Sequence, residues 1–257
     1  SEAVLEALGR AVEQLSGRYI CAEDVGTTPE DMVVIRRTTS YVTGLPDQGG
    51  DTSPLTGYGV FHAIRAAVRH RLGREDLDGV TVAIQGAGGV GRSLAPHLAA
   101  AGARVSIADV FPETARRVAE DVRGAVVEPE AVLSLDVDVL APCALGAVLN
   151  DQTLPGIRAT IVCGGANNLL EDDRHGQALH ERGILLVPDY VANSGGVISG
   201  AAGLMGLGEE EARGRAEEIY GTCMRVFERA ERDRVSTSLA AEEMAREIIE
   251  AASARKD

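Results

Sequence analysis

Lysine is almost absent from this sequence. The basic residues are arginines apart from Lys256, which is the last residue but one. Terminal segments are the least firmly held parts of a chain, whereas catalytic groups must be fixed accurately against the substrate. We therefore expect any chemistry that needs a fixed lysine amine to obtain it from outside this sequence.

Positive charge is scarce as well. Lys and Arg total 25 against 39 Asp and Glu, which gives a formal net charge of −14 at pH 7. That imbalance argues against nucleic acid or an anionic membrane surface as a partner. No apolar run reaches the length that spans a bilayer. The composition favours a small-molecule ligand.

Cysteine is present but lacks the spacing of a metal site. Cys21, Cys143, Cys163 and Cys223 lie far apart and show neither C-x-x-C nor cysteine–histidine spacing. The pattern predicts no bound metal, and it predicts reduced, mostly buried thiols in a cytoplasmic protein.

Residues 80–109, VTVAIQGAGGVGRSLAPHLAAAGARVSIAD, are the most informative stretch. A short β-prone apolar run leads directly into G-x-G-x-x-G, formed by Gly86, Gly88 and Gly91, and apolar residues at helical spacing follow. A second apolar run ends in Asp109. The pattern predicts a β-α-β unit with an acid at the end of its second strand.

Each residue type in that unit suits a dinucleotide. The first glycine permits a tight turn, the second admits a pyrophosphate, and the third lets the helix pack on the strand. Gly89 and Val90 complete the loop, and free N–H groups at the helix start attract phosphate. Asp109 would bind the ribose hydroxyls and repel the extra phosphate of NADP, so we expect NAD as the cofactor. The alternative is a plain crossover in which Asp109 only caps a turn.

Apolar periodicity predicts the remaining elements of a doubly wound α/β fold. Thr28 and Pro29 are typical of a helix start. A polar, glycine-rich loop at residues 47–53 is typical of a domain boundary. Helices are expected at residues 2–15, 54–72, 112–122, 129–134, 209–230 and 239–254, and extended segments at residues 18–22, 41–46, 126–127 and 137–141.

Three further strands end in polar or glycine-rich tails, residues 141–144, 163–168 and 189–196. Ligands of a doubly wound sheet sit outside the carboxyl ends of its strands, so these tails should face the same crevice as the glycine turn. Asparagine offers a donor and an acceptor, which match a nicotinamide carboxamide. The alternative is turn chemistry, because Asn and Gly favour left-handed conformations.

An acid also follows the first predicted strand. Asp24 lies just ahead of a turn at Gly26. An acid in such a place often lines a cleft, although it can equally hold the turn.

A set of segments in this chain points to a known family. In order, they are GRYICAEDVGT at 17–27, YVTGLP at 41–46, SPLTGYGVFHAIRAA at 53–67, the glycine fingerprint, APCALGAVLN at 141–150, CGGANN at 163–168 and PDYVANSGGVI at 188–198. Taken together, they resemble the leucine/phenylalanine/valine dehydrogenases of the amino-acid dehydrogenase superfamily. Such enzymes interconvert an L-amino acid with its 2-oxo acid and ammonia, and they pass hydride to NAD.

The resemblance implies roles for individual residues. Asp24 corresponds to the catalytic acid that takes and returns the proton of the substrate amine. Thr56 and Asn168 match residues that hold the nicotinamide amide or the substrate. Ala144 and Asn193 match positions that line the cofactor.

It also implies an architecture. We expect a Rossmann-type NAD-binding domain at residues 53–205, and the remnant of a second α/β domain at residues 1–52. Helices in residues 206–257 should return to that first domain, and the protein should be a homo-oligomer.

The sequence departs from the family pattern in three places. The family's catalytic lysines lie upstream of the position that matches Gly17, where one grips the substrate carboxylate and the other activates water. This sequence starts too late to contain them. Gly89 stands where Lys or Asn is frequent, and residues 199–208 are small and apolar where relatives carry polar and acidic side chains.

Three functions remain open on this basis. The prediction is an NAD-dependent dehydrogenase of a branched-chain or aromatic L-amino acid, whose lysines come from an absent segment or a lysine-bearing partner chain. The runner-up is a non-catalytic NAD-binding homologue that serves as a subunit or sensor. A third possibility is a Rossmann enzyme that reduces an imine or enamine with Asp24 as its sole acid.

Overall fold

The computed structural model describes residues 1–24, 26–46 and 50–254. Its strands are β1 (Thr81–Gln85), β2 (Arg104–Ala108), β3 (Ala125–Val126), β4 (Val139–Pro142), β5 (Ile161–Val162) and β6 (Leu185–Leu186). They form one parallel sheet in the order β3-β2-β1-β4-β5-β6. The strand order reverses between β1 and β4, so the predicted doubly wound, Rossmann-type architecture is confirmed.

Helices cover both faces of this sheet and extend beyond it. They are α1 (Glu2–Gln14), α2 (Pro29–Arg36), α3 (Ser53–Leu72), α4 (Gly89–Ala100), α5 (Pro112–Val122), α6 (Asp173–Glu181), α7 (Asp189–Ala192), α8 (Gly195–Met205), α9 (Glu209–Glu217), α10 (Ile219–Asp233) and α11 (Thr237–Ser253). Among the residues that the structure describes, no helix combines the length and apolarity that a membrane span requires.

The sheet separates two apolar cores. Val82 and Ile84 of β1 join the core formed with α3, α4 and α10, whereas Ala83 between them joins the core on the opposite face. Successive side chains of a strand point to opposite faces, and a parallel sheet is normally covered on both. Because both faces of the sheet are covered, the carboxyl ends of its strands are the part available to a ligand.

Residues 1–46 form a third, smaller core. Val12 of α1 packs there with Met32 and Ile35 of α2. The side chain of Thr28 accepts a hydrogen bond from the N–H of Asp31, so the predicted cap of α2 is confirmed. The assignment of residues 1–52 and 53–205 to separate domains stays a prediction, and the predicted boundary loop lies partly outside the described residues.

The predicted strand at residues 18–22 is wrong in extent. Cys21 alone pairs in this segment, in a parallel bridge with Val42. The Cys21 N–H donates to the Tyr41 carbonyl, and the Cys21 carbonyl accepts from the Thr43 N–H. A strand lengthens only where a neighbouring backbone continues beside it, and here the pairing stops after one residue.

Two predicted helices also differ from the structure. Residues 129–134 contain a single 3₁₀ turn, Val132–Ser134, in place of the predicted α-helix. The continuous helix expected at residues 209–230 is interrupted at Glu218, where α9 ends and α10 begins. The short α9 packs against α3 and α8, and α10 packs against α3 and α11.

Candidate functional site

A cleft of about 1120 Å³ opens at the carboxyl ends of the central strands. The loops after β4 and β5, the starts of α3 and α4, helix α8 and the segment before α2 form its walls. Across it, the Thr43 hydroxyl donates a 3.1 Å hydrogen bond to the Gly200 carbonyl. The cleft therefore lies at the point where strand order reverses, as expected for a ligand site in this fold.

Most of the predicted site residues meet in this cleft. Its lining includes Asp24, Thr56, Gly89, Val90, Ala144, Asn168 and Asn193. The other four predicted residues belong to the turn beside it and to the end of β2; they are Gly86, Gly88, Gly91 and Asp109. The structure thus collects residues that are up to 169 positions apart, from Asp24 to Asn193.

The three fingerprint glycines differ in their surroundings. Gly86 has a φ of +98°, and a Cβ there would lie 2.9 Å from the Cβ of Ala144. A Cβ at Gly91 would lie 1.9 Å from the Gly86 carbonyl oxygen, so α4 packs directly on the turn. A Cβ at Gly88 would meet nothing within 4 Å. The first and third glycines are required by packing, whereas the second leaves open space at the start of α4.

Asp109 holds the same turn from its other side. Its Oδ2 accepts a 2.7 Å hydrogen bond from the Ala87 N–H, and its Oδ1 accepts a 2.8 Å hydrogen bond from the Phe111 N–H. The turn-capping interpretation is therefore correct as far as the backbone is concerned. A carboxylate oxygen has two lone pairs, so each oxygen of Asp109 keeps one acceptor site for a ligand.

Asp24 enters the cleft from the N-terminal segment. Its backbone is held by Thr27, whose hydroxyl accepts from the Asp24 N–H at 2.9 Å and donates to the Asp24 carbonyl at 2.8 Å. Thr27 also donates its own N–H to that carbonyl. These local bonds fix the main chain of Asp24, which is one of the residues that line the cavity.

A second carboxyl group, Glu23, lies beside it and was missed by the sequence analysis. Burial raises the pKa of Glu23, a hydrogen bond from the Thr52 backbone lowers it, and the carboxylates of Asp51 and Glu30 raise it again. Neighbouring side chains of an extended segment point to opposite sides, so the prediction that Asp24 lies at the cleft did not extend to Glu23.

The cleft is acidic. Its charged side chains, among the described lining residues, are those of Glu23, Asp24 and Glu171. Lys256 lies outside the described residues. Such a lining attracts a cationic amine, and a ligand's carboxylate would need a counter-charge from elsewhere.

Three asparagines also line the cleft, Asn167, Asn168 and Asn193. The Asn193 side-chain NH₂ donates to Oδ1 of Asn167 at 2.6 Å and to the Gly165 carbonyl at 3.4 Å. Its carbonyl oxygen is thereby left as an acceptor. Asn167 was not predicted, although it stands next to Asn168 in the segment that the sequence singled out. Its hydrogen bond with Asn193 joins residues that are 26 positions apart, and the spacing of the sequence does not predict such a contact.

Asn168 combines the two interpretations that the sequence left open. Its φ is +52°, which is the left-handed conformation that asparagine tolerates in turns, and it also lines the cleft. Thr56 is nearly buried, and its hydroxyl donates to the Thr52 carbonyl at 2.9 Å. Since that proton is committed, Thr56 can only accept a hydrogen bond from a ligand.

The cysteines are unpaired thiols, as expected. Cys143 lines the cleft, and Cys163 and Cys223 are buried beneath it in the core. Burial raises the pKa of the Cys223 thiol to about 12 and raises that of Cys163 well above its ordinary value. Both thiols are therefore protonated and poorly nucleophilic at neutral pH.

Comparison with known proteins identifies the family. The sequence model of the glutamate/leucine/phenylalanine/valine dehydrogenases matches residues 50–112 and 113–255. The chain belongs to this family. The predicted family and the predicted enzyme class, amino-acid dehydrogenase, are confirmed.

Individual members of the family are similar over nearly the whole chain. Leucine dehydrogenase from Bacillus cereus is 45% identical over 252 residues, which are 97% of this chain and 69% of that enzyme. Valine dehydrogenase from Streptomyces albus is 42% identical over 262 residues, covering 100% of this chain and 72% of that enzyme. The crystal structure of L-tryptophan dehydrogenase from Nostoc punctiforme superposes with a TM-score of 0.84 at 41% identity, covering 96% of this chain and 72% of the other.

Proposed function

We propose that this protein catalyses the NAD-dependent oxidative deamination of an L-amino acid with a branched-chain or aromatic side chain. The amino acid, NAD⁺ and water give the 2-oxo acid, ammonium, NADH and a proton. The observation that carries the proposal is that one cleft contains the Asp24 carboxylate, the edge of the glycine turn and the amides of Asn168 and Asn193.

The turn fits a dinucleotide. The open space at Gly88 and the start of α4, which no described side chain caps, are suited to a pyrophosphate. The remaining acceptor sites of Asp109 suit the ribose hydroxyls, and its charge disfavours a 2′-phosphate. Thr56, Ala144, Asn168 and Asn193 would surround the carboxamide and ring. When bound, the nicotinamide accepts a hydride from the α-carbon of the substrate.

Asp24 would act as the base. A protonated amine cannot share its lone pair with the α-carbon, so the ammonium group of the substrate has to lose a proton before hydride transfer. The Asp24 carboxylate accepts that proton and returns it at a later step, while Glu23 and Glu171 favour entry of the cationic form.

Part of the cleft lining suits an apolar side chain. It includes Ile20 and, on α8, Val197, Ala201 and Leu204. The relatives described above are named for leucine, valine and tryptophan, which are all apolar amino acids. Small residues in α8 leave room for a large hydrocarbon group, which supports a branched-chain or aromatic substrate over a polar one.

The two amines that the family resemblance implies have no counterpart among residues 1–254, which contain no lysine. We propose that they are supplied by an adjoining segment or by a lysine-bearing partner chain in a homo- or hetero-oligomer. One amine would bind the substrate carboxylate, which the acidic cleft cannot bind, and the other would activate the water that attacks the imine.

The test has two stages. Fluorescence titration should show NADH binding that is much tighter than NADPH binding. NADH formation should then be followed with L-leucine, L-valine and L-phenylalanine, with the chain alone and with any chain that co-purifies. Asp24→Asn should lower turnover by about two to four orders of magnitude and leave NADH affinity unchanged. Glu30→Gln, an exposed acid on α2, is the matched control.

Each outcome bears on a different part of the proposal. Failure to bind NADH contradicts the cofactor assignment. Turnover by the chain without any lysine-bearing companion shows that the lysine argument is wrong. Full activity of Asp24→Asn removes the assigned base.

The near-absence of lysine also favours a second candidate, a cofactor-binding subunit or sensor without catalysis. Native mass determination distinguishes the two. A co-purifying chain that restores deamination supports the enzyme, whereas an NADH-binding homo-oligomer without turnover supports the sensor.

A further inference from the structure

A serine from a second helix lies over the glycine turn. Ser53 is the first residue of α3, and it lines the cleft together with Gly89. A Cβ built on Gly89 would lie 2.2 Å from the Ser53 Oγ and 2.9 Å from the Ser53 Cβ. Ser53 therefore occupies the volume that a side chain at position 89 would take.

The position of Ser53 relative to the turn is fixed by helix packing. α3 and α4 are in close contact, since a Cβ on Gly57 would lie 2.7 Å from the Ser93 Cβ and 2.9 Å from the Leu94 nitrogen. The Ser53 N–H donates to Oδ1 of Asp51 at 2.9 Å, which holds the backbone at the helix start. Ser53 is thus carried on a rigid element that contacts α4 directly.

The Ser53 hydroxyl has a hydrogen bond to spare. None of the hydrogen bonds within the described part of the chain uses its Oγ. By contrast, the Ser93 hydroxyl on α4 is committed to the Gly89 carbonyl at 2.7 Å. A partly exposed hydroxyl beside two helix starts, both carrying backbone N–H groups, is well suited to donate to an anion.

We propose that the Ser53 hydroxyl is a ligand of the cofactor pyrophosphate, and that position 89 is glycine because Ser53 takes the place of a side chain there. The inference rests on the proposed binding of NADH at this turn.

The first test removes the hydroxyl. Ser53→Ala should raise the Kd for NADH about three- to tenfold, as expected for a hydrogen bond to a charged group at a partly exposed site. ADP keeps both phosphates and lacks the nicotinamide riboside, so its Kd should rise by the same factor. Ser93→Ala is the control, because that hydroxyl faces its own helix, and both variants should keep the wild-type Tm.

The second test is a double-mutant cycle on the steric claim. Gly89→Ala alone should weaken NADH binding, because the new Cβ must displace Ser53. In the Ser53→Gly background the same substitution should cost nothing, since both atoms that it would meet are gone. The cycle therefore reports the coupling between the two positions.

The outcomes separate this inference from the proposed function. Wild-type protein that binds neither NADH nor ADP contradicts the proposed cofactor site. If the wild type binds NADH and Ser53→Ala binds it equally well, the phosphate contact is wrong. A loss of NADH affinity without a loss of ADP affinity places the contact on the nicotinamide riboside and likewise overturns it. An equal cost of Gly89→Ala in both backgrounds rejects the steric explanation.

Discussion

The backbone N–H of Asn168 donates a 2.8 Å hydrogen bond to Oδ2 of Asp189. Asn168 has a φ of +52°, so an otherwise unfavourable backbone conformation is held by a carboxylate from the start of α7. This relationship links the loop after β5 to the loop after β6. The direction of the Asn168 side chain in the cleft therefore depends on an acid that is 21 positions away.

Removing that acid should loosen the site without unfolding the protein. We expect Asp189→Ala to raise the NADH Kd by about fivefold, because the loss of one charge-assisted hydrogen bond costs roughly 1–3 kcal/mol and part of it is recovered by water. Asp189→Asn keeps an oxygen acceptor and should restore most of the affinity. Asn168→Gly keeps the left-handed backbone and deletes the amide, so it separates the conformation from the side chain. If all three variants bound NADH with the wild-type Kd, the loop after β5 would not contact the cofactor.

Asp109 should determine the choice between NADH and NADPH. Asp109→Asn keeps acceptor capacity for one of the two backbone N–H groups and removes the negative charge. We expect the NADH Kd to rise about tenfold, and the NADPH Kd to fall or stay constant, so that the ratio of the two moves toward unity. Asp121→Asn, an exposed acid on α5, is the control. A ratio that is unchanged by Asp109→Asn would mean that the acid only caps the turn.

Two glycine substitutions should separate binding from stability. A Cβ at Gly88 has open space, so Gly88→Ala should fold with a normal Tm and lose most of its NADH affinity to steric exclusion of phosphate. A Cβ at Gly164 would lie 2.0 Å from the Pro142 carbonyl oxygen. Gly164→Ala should therefore destabilise the fold by about 1–3 kcal/mol. Urea unfolding measures the change in stability, and fluorescence titration measures the change in NADH affinity. A destabilised Gly88→Ala and a stable Gly164→Ala with weak NADH binding would contradict this account of the two glycines.

His62 should make stability depend on pH. It is 6% exposed, and its Nε2 has no hydrogen-bond partner among the described residues. The pKa of His62 is lowered to about 4, chiefly by burial. The charge of Arg65 also lowers this pKa, Glu217 raises it, and His97 and Arg213 lower it. Neutral His62 thus stabilises the fold fully above its ordinary pKa of 6.5, and this contribution is lost as the pH falls from 6.5 through 4.

The measurement compares unfolding free energies at pH 7 and pH 4.5. The wild type should lose roughly 2–3 kcal/mol more than His62→Phe over that interval, because the variant has no imidazole to protonate. His180→Gln, which alters an exposed histidine on α6, should follow the wild type. If the free energy of unfolding had the same pH dependence in the wild type and in His62→Phe, protonation of His62 would not destabilise the fold.

The sequence predicted the sheet and its ligand edge well because the signals there are local. The run of apolar residues before Gly86 and the acid at Asp109 lie within a single β-α-β unit, and their spacing alone defines the geometry. Prediction failed where the outcome depends on distant contacts. Whether residues 18–22 pair as a strand depends on which backbone lies beside them. The break at Glu218 was missed because Glu218 keeps right-handed helical angles, φ −64° and ψ −14°, so the apolar period of the sequence is nearly unchanged across it.

The same distinction explains which cleft residues were missed. Asp24 was identified from its place after a predicted strand and from a family motif. Glu23 and Ser53 reach the cleft only because of how α3 and the N-terminal segment pack. Nothing in the spacing of Ser53 relative to Gly89 indicates that the two residues meet. That contact is created by the packing of two helices, which a linear pattern does not encode.

The hydrogen bond between Thr43 and Gly200 joins the two rims of the cleft across 157 positions of sequence. A neutral bond of this kind contributes about 1 kcal/mol net, which is less than twice the thermal energy at room temperature. Thermal fluctuations are therefore sufficient to break this bond, so it cannot by itself keep the mouth of the cleft closed to a small solute.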